Sequence, residues 1–230
     1  MAVAVVQSVQ EQGSSPWTPE LTGVSSSSVL VLAFYNQEAG AYSATYDVSV
    51  TEFGLEASLD VWEDADGGVF VWVATGLSGT VSPDITQSGG GGENGSAILI
   101  EISGADTTTP LDVTPTSDNQ NFSAPYVIPS IDPVTADCLH IALQGGKNTD
   151  PSDDTGPSGY TALAAIPGGD RGLSAFYKVL SGSAATGALN SNNPGSVSWW
   201  AMSLAIRPAS GGGGGLAIPV AMAQYRQRWN

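Results

Sequence analysis

Cysteine and histidine are almost absent from this chain of 230 residues. The one cysteine, Cys138, and the one histidine, His140, exclude an internal disulfide framework, a cysteine-based zinc finger and a multi-histidine metal site. We expect Cys138 to be a small buried apolar residue and His140 a half-buried strand residue. A Ser-His-Asp triad would have to use His140, and no G-x-S-x-G elbow is present, so nucleophilic catalysis is not expected.

Basic residues are also scarce, at six against 22 acidic residues, and the formal net charge is −16. Nucleic-acid binding requires a basic surface, and anionic membranes attract basic segments, so neither partner is expected. No run approaches the roughly 18 apolar residues of a membrane-spanning helix. The N-terminal segment MAVAVVQSVQ lacks the basic region of a secretion signal, which predicts a soluble protein made in a cytoplasm.

Helix-favouring residues are few, whereas Gly, Pro, Ser, Thr, Asn and Asp recur at short intervals. Apolar runs of strand length lie between them, the strongest at 29–35, 69–75, 97–103, 138–144, 173–180 and 197–206. Short strands at this spacing are typical of antiparallel sandwiches and barrels. The predicted fold is all-β: an antiparallel β-sandwich of the jelly-roll type with extended N- and C-terminal arms. No internal repeat is evident.

The predicted organisation is an N-terminal arm at 1–22, a β-sandwich domain at 23–209, and a Gly-rich linker with a C-terminal docking tail at 210–230. Charge changes sign along the chain. All 22 acidic residues and one lysine lie at or before Asp170, and five basic residues with no acid follow it. A basic tail tethered to an acidic body predicts docking to an acidic neighbour, which includes another copy of the chain. The alternative is a frayed terminus with incidental charge.

The candidate partner-binding residues combine apolar and basic side chains of the tail with one tryptophan near the N-terminus. They are Leu216, Ile218, Val220, Tyr225, Arg226, Arg228, Trp229 and Trp17. Trp17 is expected to clamp the N-terminal segment onto the body or onto a neighbour. No catalytic or cofactor-binding residue is expected.

Two acidic features remain as candidates for other chemistry. Glu101 interrupts the apolar strand AILIEIS, and its alternation favours an outward or rim position over a catalytic role. A polar loop offers carboxylate and amide oxygens that suit Ca²⁺, although acidic residues are also ordinary turn formers. The residues of this candidate Ca²⁺ site are Asn148, Asp150, Asp153 and Asp154.

Tryptophans could form a carbohydrate-binding face if alternation turned them outward. The candidates are Trp17, Trp62, Trp72 and Trp199, and core packing is the favoured interpretation for Trp72. In the last strong run, alternation predicts a core face made of Trp200, Met202, Leu204 and Ile206.

Three segments in order are AILIEISGADTTTPLDV (97–113), PVTADCLHIAL (133–143) and VSWWAMSLAIRPA (197–209). They resemble a loosely defined set of β-sandwich virion structural proteins of tailed bacteriophages and prophages. The resemblance covers about residues 29–209 and carries strand cores and turns, but no catalytic residue. It implies a capsid decoration protein or a tail or fibre component, with the major capsid protein, other virion proteins or copies of itself as partners.

We therefore predict a non-enzymatic structural protein of a bacteriophage virion. The favoured role is that of a capsid decoration (cement) protein, which stabilises the shell through subunit contacts. The alternative is a carbohydrate-binding, receptor-binding β-sandwich module of a phage tail or fibre. In both cases the expected location is the virion, assembled in the host cytoplasm. A glycan hydrolase would need two carboxylates facing each other across a groove, which the sequence does not show.

Overall fold

The computed structural model describes residues 2–14, 16–36, 45–48, 53–60, 68–88, 94–120, 126–146, 156–166, 172–191 and 199–210. All regular elements in these ranges are β-strands, and no helix occurs in them. The strands are β1 (Ala4–Ser14), β2 (Leu21–Val24), β3 (Val29–Asn36), β4 (Thr45–Val48), β5 (Gly54–Asp60), β6 (Gly68–Thr75), β7 (Gly79–Val81), β8 (Ile85–Ser88), β9 (Asn94–Ser103), β10 (Thr116–Gln120), β11 (Tyr126–Ile128), β12 (Leu139–Gly146), β13 (Thr161–Ile166), β14 (Gly172–Val179), β15 (Leu189–Ser191) and β16 (Trp199–Ile206).

The strands assemble into two five-stranded sheets and three two-stranded ones. Sheet I has the order β1-β9-β3-β6-β5, and sheet II has the order β10-β16-β12-β14-β13. The small sheets are β2-β7, β4-β8 and β11-β15. Every pairing is antiparallel, and each large sheet keeps two edge strands. The predicted all-β, antiparallel sandwich-like fold is confirmed.

The two large sheets bury their facing sides against each other in a central apolar layer. Its side chains come from alternate positions of the strands, as period-two alternation requires. Sheet I contributes Val29, Val31, Ala33, Tyr35, Val69, Val71, Val73, Ile98, Ile100 and Ile102, and sheet II contributes Leu139, Ile141, Leu143, Leu173, Ala175, Trp200, Met202, Leu204 and Ile206. The predicted core face of the last strand is confirmed.

The opposite faces of both sheets are buried as well. On sheet I, residues such as Leu32 and Leu99 pack beneath a cover that includes Trp17 and Ile85. On sheet II, Ala142, Phe176, Trp199 and Ala201 pack beneath Ile128, Val127, Tyr160 and Leu189. Strands buried on both faces read as continuous apolar runs, which explains why the strongest runs show so little polar alternation.

The connectivity differs from the expected jelly roll. A jelly roll winds its chain back and forth between its two sheets. Here residues 4–103 supply all of sheet I and residues 116–206 supply all of sheet II. A short connection between β9 and β10 therefore carries the chain once from one large sheet to the other.

Sheet II also repeats the strand order of sheet I, although no repeat was evident in the sequence. In each large sheet the five strands, numbered in the order in which they occur along the chain, are arranged in the order 1-5-2-4-3. The strands are β1, β3, β5, β6 and β9 in sheet I and β10, β12, β13, β14 and β16 in sheet II. Both sheets carry a register shift in the same strand pair, between Leu55 and Ala57 in β5 and between Ala162 and Ala164 in β13. The repetition lies in topology and register.

The N-terminal segment forms an edge strand of sheet I. β1 pairs along its length with β9, from Ala4 opposite Ser103 to Ser14 opposite Asn94. This pairing corrects the expectation of an arm at 1–22, because backbone groups at the free edge of β9 gain partners when β1 joins the sheet. The predicted C-terminal linker and tail at 210–230 lies, apart from Ser210, outside the described residues.

Trp17 fastens the chain that follows β1 to sheet I. Its side chain is fully buried, its ring centroid lies 4.7 Å from that of Phe34, and its indole N–H donates to the Gly13 carbonyl at 2.7 Å. Its backbone N–H donates to the Ile85 carbonyl at 3.1 Å. Trp17 thus fastens the N-terminal segment to the body of its own chain. This is one of the two predicted roles, the other being contact with a neighbour.

Replacing Trp17 with alanine should therefore lower the free energy of unfolding by about 3–5 kcal/mol, because a large buried ring leaves a cavity behind. Denaturant unfolding followed by tryptophan fluorescence and circular dichroism measures the change. Val6→Ala serves as the control, since Val6 is 55% exposed on β1 and its loss should cost less than about 0.5 kcal/mol. Equal losses for both variants would contradict the anchoring role of Trp17.

Candidate functional site

The predicted partner-binding residues separate into two groups. Seven belong to the tail and lie outside the described residues: Leu216, Ile218, Val220, Tyr225, Arg226, Arg228 and Trp229. The eighth, Trp17, is buried and presents no surface to a partner. The candidate Ca²⁺ loop with Asn148, Asp150, Asp153 and Asp154 also lies outside the described residues. Within the described ranges, no group of three or more His, Cys, Asp or Glu residues is placed to hold a metal ion.

The tryptophans proposed for a carbohydrate-binding face are mostly interior. Trp17, Trp72 and Trp199 are all buried, which corrects the expectation that alternation turns them outward and confirms core packing for Trp72. Trp199 faces away from the central layer as alternation predicts, but the outer layer of sheet II covers it. Trp62 lies outside the described residues. A sugar would find no exposed ring at the three described positions.

Glu101 in β9 is a buried carboxylate, with 2% of its surface exposed. It faces away from the central layer, as expected, yet it lies beneath the covering segment and not at a solvent-exposed rim. Its oxygens accept hydrogen bonds from Gln7 Nε2 at 2.6 Å, the Ser25 backbone N–H at 3.0 Å and Ser28 Oγ at 2.8 Å. Burial raises the pKa of Glu101, but the hydrogen bonds outweigh it and hold the pKa below its usual value. The carboxylate is an anchor for neighbouring segments.

Asp112 plays a corresponding part beside sheet II. Its carboxylate accepts the backbone N–H groups of Val134 at 2.6 Å and Thr135 at 3.0 Å, and it pairs with Arg207 Nε at 3.1 Å. Burial raises the pKa of Asp112, but the hydrogen bonds from Thr135, Val134 and Arg207 outweigh this effect and hold the pKa below its usual value. This cluster fixes the segment before β12 against the end of β16.

An open groove lies where the described chain ends, with a volume of about 680 Å³. Its walls come from the N-terminus, the connection between the large sheets, the segment before β12, the end of β14 and the end of β16. The lining residues are Ala2, Val3, Asp106, Thr135, Asp137, Val179, Arg207, Pro208, Ala209 and Ser210. Asp137 adopts a left-handed backbone conformation with φ of 62°, which an aspartate tolerates better than most residues. The groove is the principal candidate site, because the tail leaves the body from it.

Charge and apolar surface both favour a contact at this groove. Arg207 is paired with Asp112, whereas Asp106 and Asp137 add negative charge to the lining. Val134 and Val179 are 70% and 43% exposed, and Val179 lines the groove directly. The negative charge and the exposed valine suit a basic and apolar segment. Residue identity alone could not reveal the groove, because its lining comes from five separate parts of the chain.

His140 lies in the outer layer of sheet II and is fully buried, more deeply than expected. Its Nδ1 shares a hydrogen bond of 2.5 Å with the Tyr160 hydroxyl, and Nε2 has no hydrogen-bond partner. Lys178 is the residue opposite His140 on β14, and its Nζ lies 5.6 Å from the centre of the Tyr160 ring. Burial, with a smaller effect of the Lys178 charge, lowers the pKa of His140 from 6.5 to about 4. The imidazole is therefore neutral at pH 7.

Two further buried polar side chains share this face of sheet II. Neither the amide of Gln144 nor the hydroxyl of Ser174 has a hydrogen-bond partner, and the two residues lie opposite each other on β12 and β14.

Cys138, also buried as predicted, donates from Sγ to the Thr135 carbonyl at 3.1 Å, and burial raises its pKa to about 12. The thiol is protonated and unreactive at neutral pH.

Comparison with known proteins adds no relative. No protein-family model, no curated protein and no solved structure matches the chain. In the ranges that the structure describes, no helix could cross a lipid bilayer. The function is therefore inferred from the residues and their contacts.

The buried His140 makes stability depend on pH. Because its pKa is lower in the folded state than in the unfolded state, its contribution is complete above pH 6.5 and is lost as the pH falls through about 4. Between pH 6.5 and 5 the free energy of unfolding should drop by about 1.5 kcal/mol from this residue. Denaturant unfolding at intervals of half a pH unit measures the drop.

His140→Leu provides the matched variant, because Leu30 occupies the equivalent place in sheet I. The variant should show a flatter stability profile between pH 6.5 and 5. Glu101 and Asp112, whose pKa values are lowered, give up their contributions only below their usual values of 4.5 and 3.8. An unchanged slope in His140→Leu would show that other groups cause the loss.

Proposed function

We propose that the protein is a non-enzymatic structural component of a bacteriophage virion, a capsid decoration protein that binds its neighbours through the C-terminal tail. The body provides a rigid support, and residues 216–230 provide the contact. The resemblance of the segments at 97–113, 133–143 and 197–209 to virion β-sandwich proteins supports the assignment to a virion.

The observation that carries this proposal is that the described side chains of the body expose little apolar surface, whereas the tail sequence is rich in apolar and aromatic residues. In the described ranges, the large apolar residues that are exposed are Val6, Val134 and Val179. Such isolated side chains cannot supply the apolar core of a stable interface, which usually buries well over 1,000 Å² in total. We therefore assign the contact area to the apolar and aromatic residues after Ser210.

The tail and the body also have complementary charges. Arg226 and Arg228 are basic, whereas the part of the chain up to Asp170 has 22 acidic residues and one lysine. A neighbouring subunit with an acidic surface would attract the tail, and the groove beside Asp106 and Asp137 on a second copy is such a surface. The five glycines at 211–215 have the composition of the linker that this docking requires between body and tail.

Capsid decoration agrees with the burial pattern better than glycan binding does. A carbohydrate-binding module needs exposed aromatic rings, and Trp17, Trp72 and Trp199 are buried. The three apolar layers instead favour a body whose role is mechanical. Binding energy would then come from the area that the tail buries on a neighbour, at about 25 cal/mol per Å² before the cost of association.

Deleting residues 211–230 should leave folding intact and abolish docking. We expect the far-ultraviolet circular dichroism and the unfolding midpoint to stay unchanged, because the described contacts of the sandwich end at Ala209. Binding to particles assembled without this protein, measured by co-sedimentation, should fall at least about tenfold. Full binding by the truncated chain would refute the role of the tail.

Two double variants separate the forces in the tail. Arg226→Ser with Arg228→Ser removes charge, whereas Tyr225→Ala with Trp229→Ala removes apolar area. If attraction is mainly electrostatic, the first pair should weaken binding more, and added salt should weaken binding of the unaltered protein. Salt-insensitive binding that only the second pair disrupts would assign the contact to apolar burial.

A further inference from the structure

We infer that residues 4–103 and residues 116–206 are two copies of one folding unit, and that the inner face of each unit is a binding surface for a like unit. They are called the first unit and the second unit below. The chain is then a tethered pair, in which a contact typical of two subunits is made within one polypeptide. This inference does not depend on a role in a virion.

The registers of the two large sheets support a repeat. In each unit the first residue of the central strand faces the last residue of one neighbour and the last or next-to-last residue of the other. The opposed residues are Val29 with Thr75 and Ile102 in the first unit, and Leu139 with Val179 and Ile206 in the second. In each unit an edge strand also pairs with the same neighbour of the central strand, as Val9 opposite Leu99 and Thr116 opposite Ser203 illustrate.

The small sheets follow the same plan. In the first unit, β2 precedes the central strand and pairs with β7, which follows β6. In the second unit, β11 precedes the central strand and pairs with β15, which follows β14. Unrelated sheets can share a strand order, but shared registers, a shared bulge and a shared accessory pair together indicate one unit used twice.

The inner faces of the units fit each other by complementary placement of large rings. In the first unit Tyr35 on the central strand lies opposite Ser96. In the second unit the equivalent central position is Gly145, and it lies opposite Trp200. The rings of Tyr35 and Trp200 meet across the central layer with centroids 5.5 Å apart. A side chain at Gly145 would collide with the Gly172 carbonyl and the Trp200 ring, so this position must stay a glycine.

The outer faces, by contrast, have diverged. Positions that hold Leu30 and Phe34 in the first unit hold His140 and Gln144 in the second. The central layer keeps apolar residues at equivalent positions of both units, as Val31 and Ile141 illustrate. The two units therefore share apolar residues on the face toward the central layer but differ on the opposite face. This difference identifies the inner face as the surface that both copies have in common.

The experiment that tests this inference is proteolytic cleavage of the full-length protein between its two units. A protease site inserted at the exposed Thr107–Thr109 turn allows cleavage after folding. We expect the two fragments to remain together in size-exclusion chromatography, and to re-form the native circular dichroism spectrum when they are separated in denaturant and mixed. Unfolding of the cleaved protein should then depend on protein concentration.

A matched control places the same site between Ser183 and Ala184, which are exposed in the loop between β14 and β15. This cut divides the second unit, so its separated fragments should not re-form the native state. If they re-form it as readily as fragments cut between the units, or if the latter fail to re-form it, the inference is overturned.

Substitutions on opposite faces of β16 test the binding surface itself. In the protein cleaved between its units, Trp200→Phe should weaken association of the fragments about tenfold, because it reduces the ring that meets Tyr35. Trp199→Phe alters the outer layer of the same strand and should change association less than about twofold. Equal effects would show that the inner face is not the specific contact.

Discussion

Burial on both faces of the central strands is the constraint on which the rest of this structure depends. β3, β9, β12 and β16 carry apolar side chains toward the central layer and away from it. Packing the two sheets against each other buries only one face of each sheet. The covers formed by the small sheets β2-β7 and β11-β15, and by Trp17, are therefore required, because exposed apolar faces of this size would favour aggregation.

Two buried carboxylates attach these covers to the sheets. Glu101 accepts hydrogen bonds from the Ser25–Ser28 turn, and Asp112 accepts them from the backbone of Val134 and Thr135. A carboxylate that receives several N–H and O–H donors is stable in its ionised form even where it is shielded from water. Each of these carboxylates thus adds directional hydrogen bonds to the apolar contacts. The bonds determine the position of the covering segment on the sheet.

Strand positions could be predicted because apolar runs record burial directly, as the run at 29–35 and the strand Val29–Asn36 show. β1 was mistaken for an arm because an edge strand is half exposed, and its alternating polar residues resemble those of a flexible terminus. The repeat could not be predicted because backbone pairing sets the register, while Leu30 and His140 satisfy the same position with different chemistry. The groove was equally hidden, since its lining brings together residues as distant in sequence as Ala2, Asp106 and Arg207.

The place where the tail begins follows from the repeat. After β9 the chain passes through Gly104 and Ala105 and crosses to sheet II. After β16 it reaches the same end of the molecule, where Ala105 and Pro208 form an antiparallel bridge and the Ala209 N–H donates to the Gly104 carbonyl at 2.8 Å. The tail is therefore the second unit's counterpart of the connection that carries the first unit to its partner. The end of the second unit thus lies directly beside the connection that leaves the first unit, and these two segments hold each other in place through backbone hydrogen bonds.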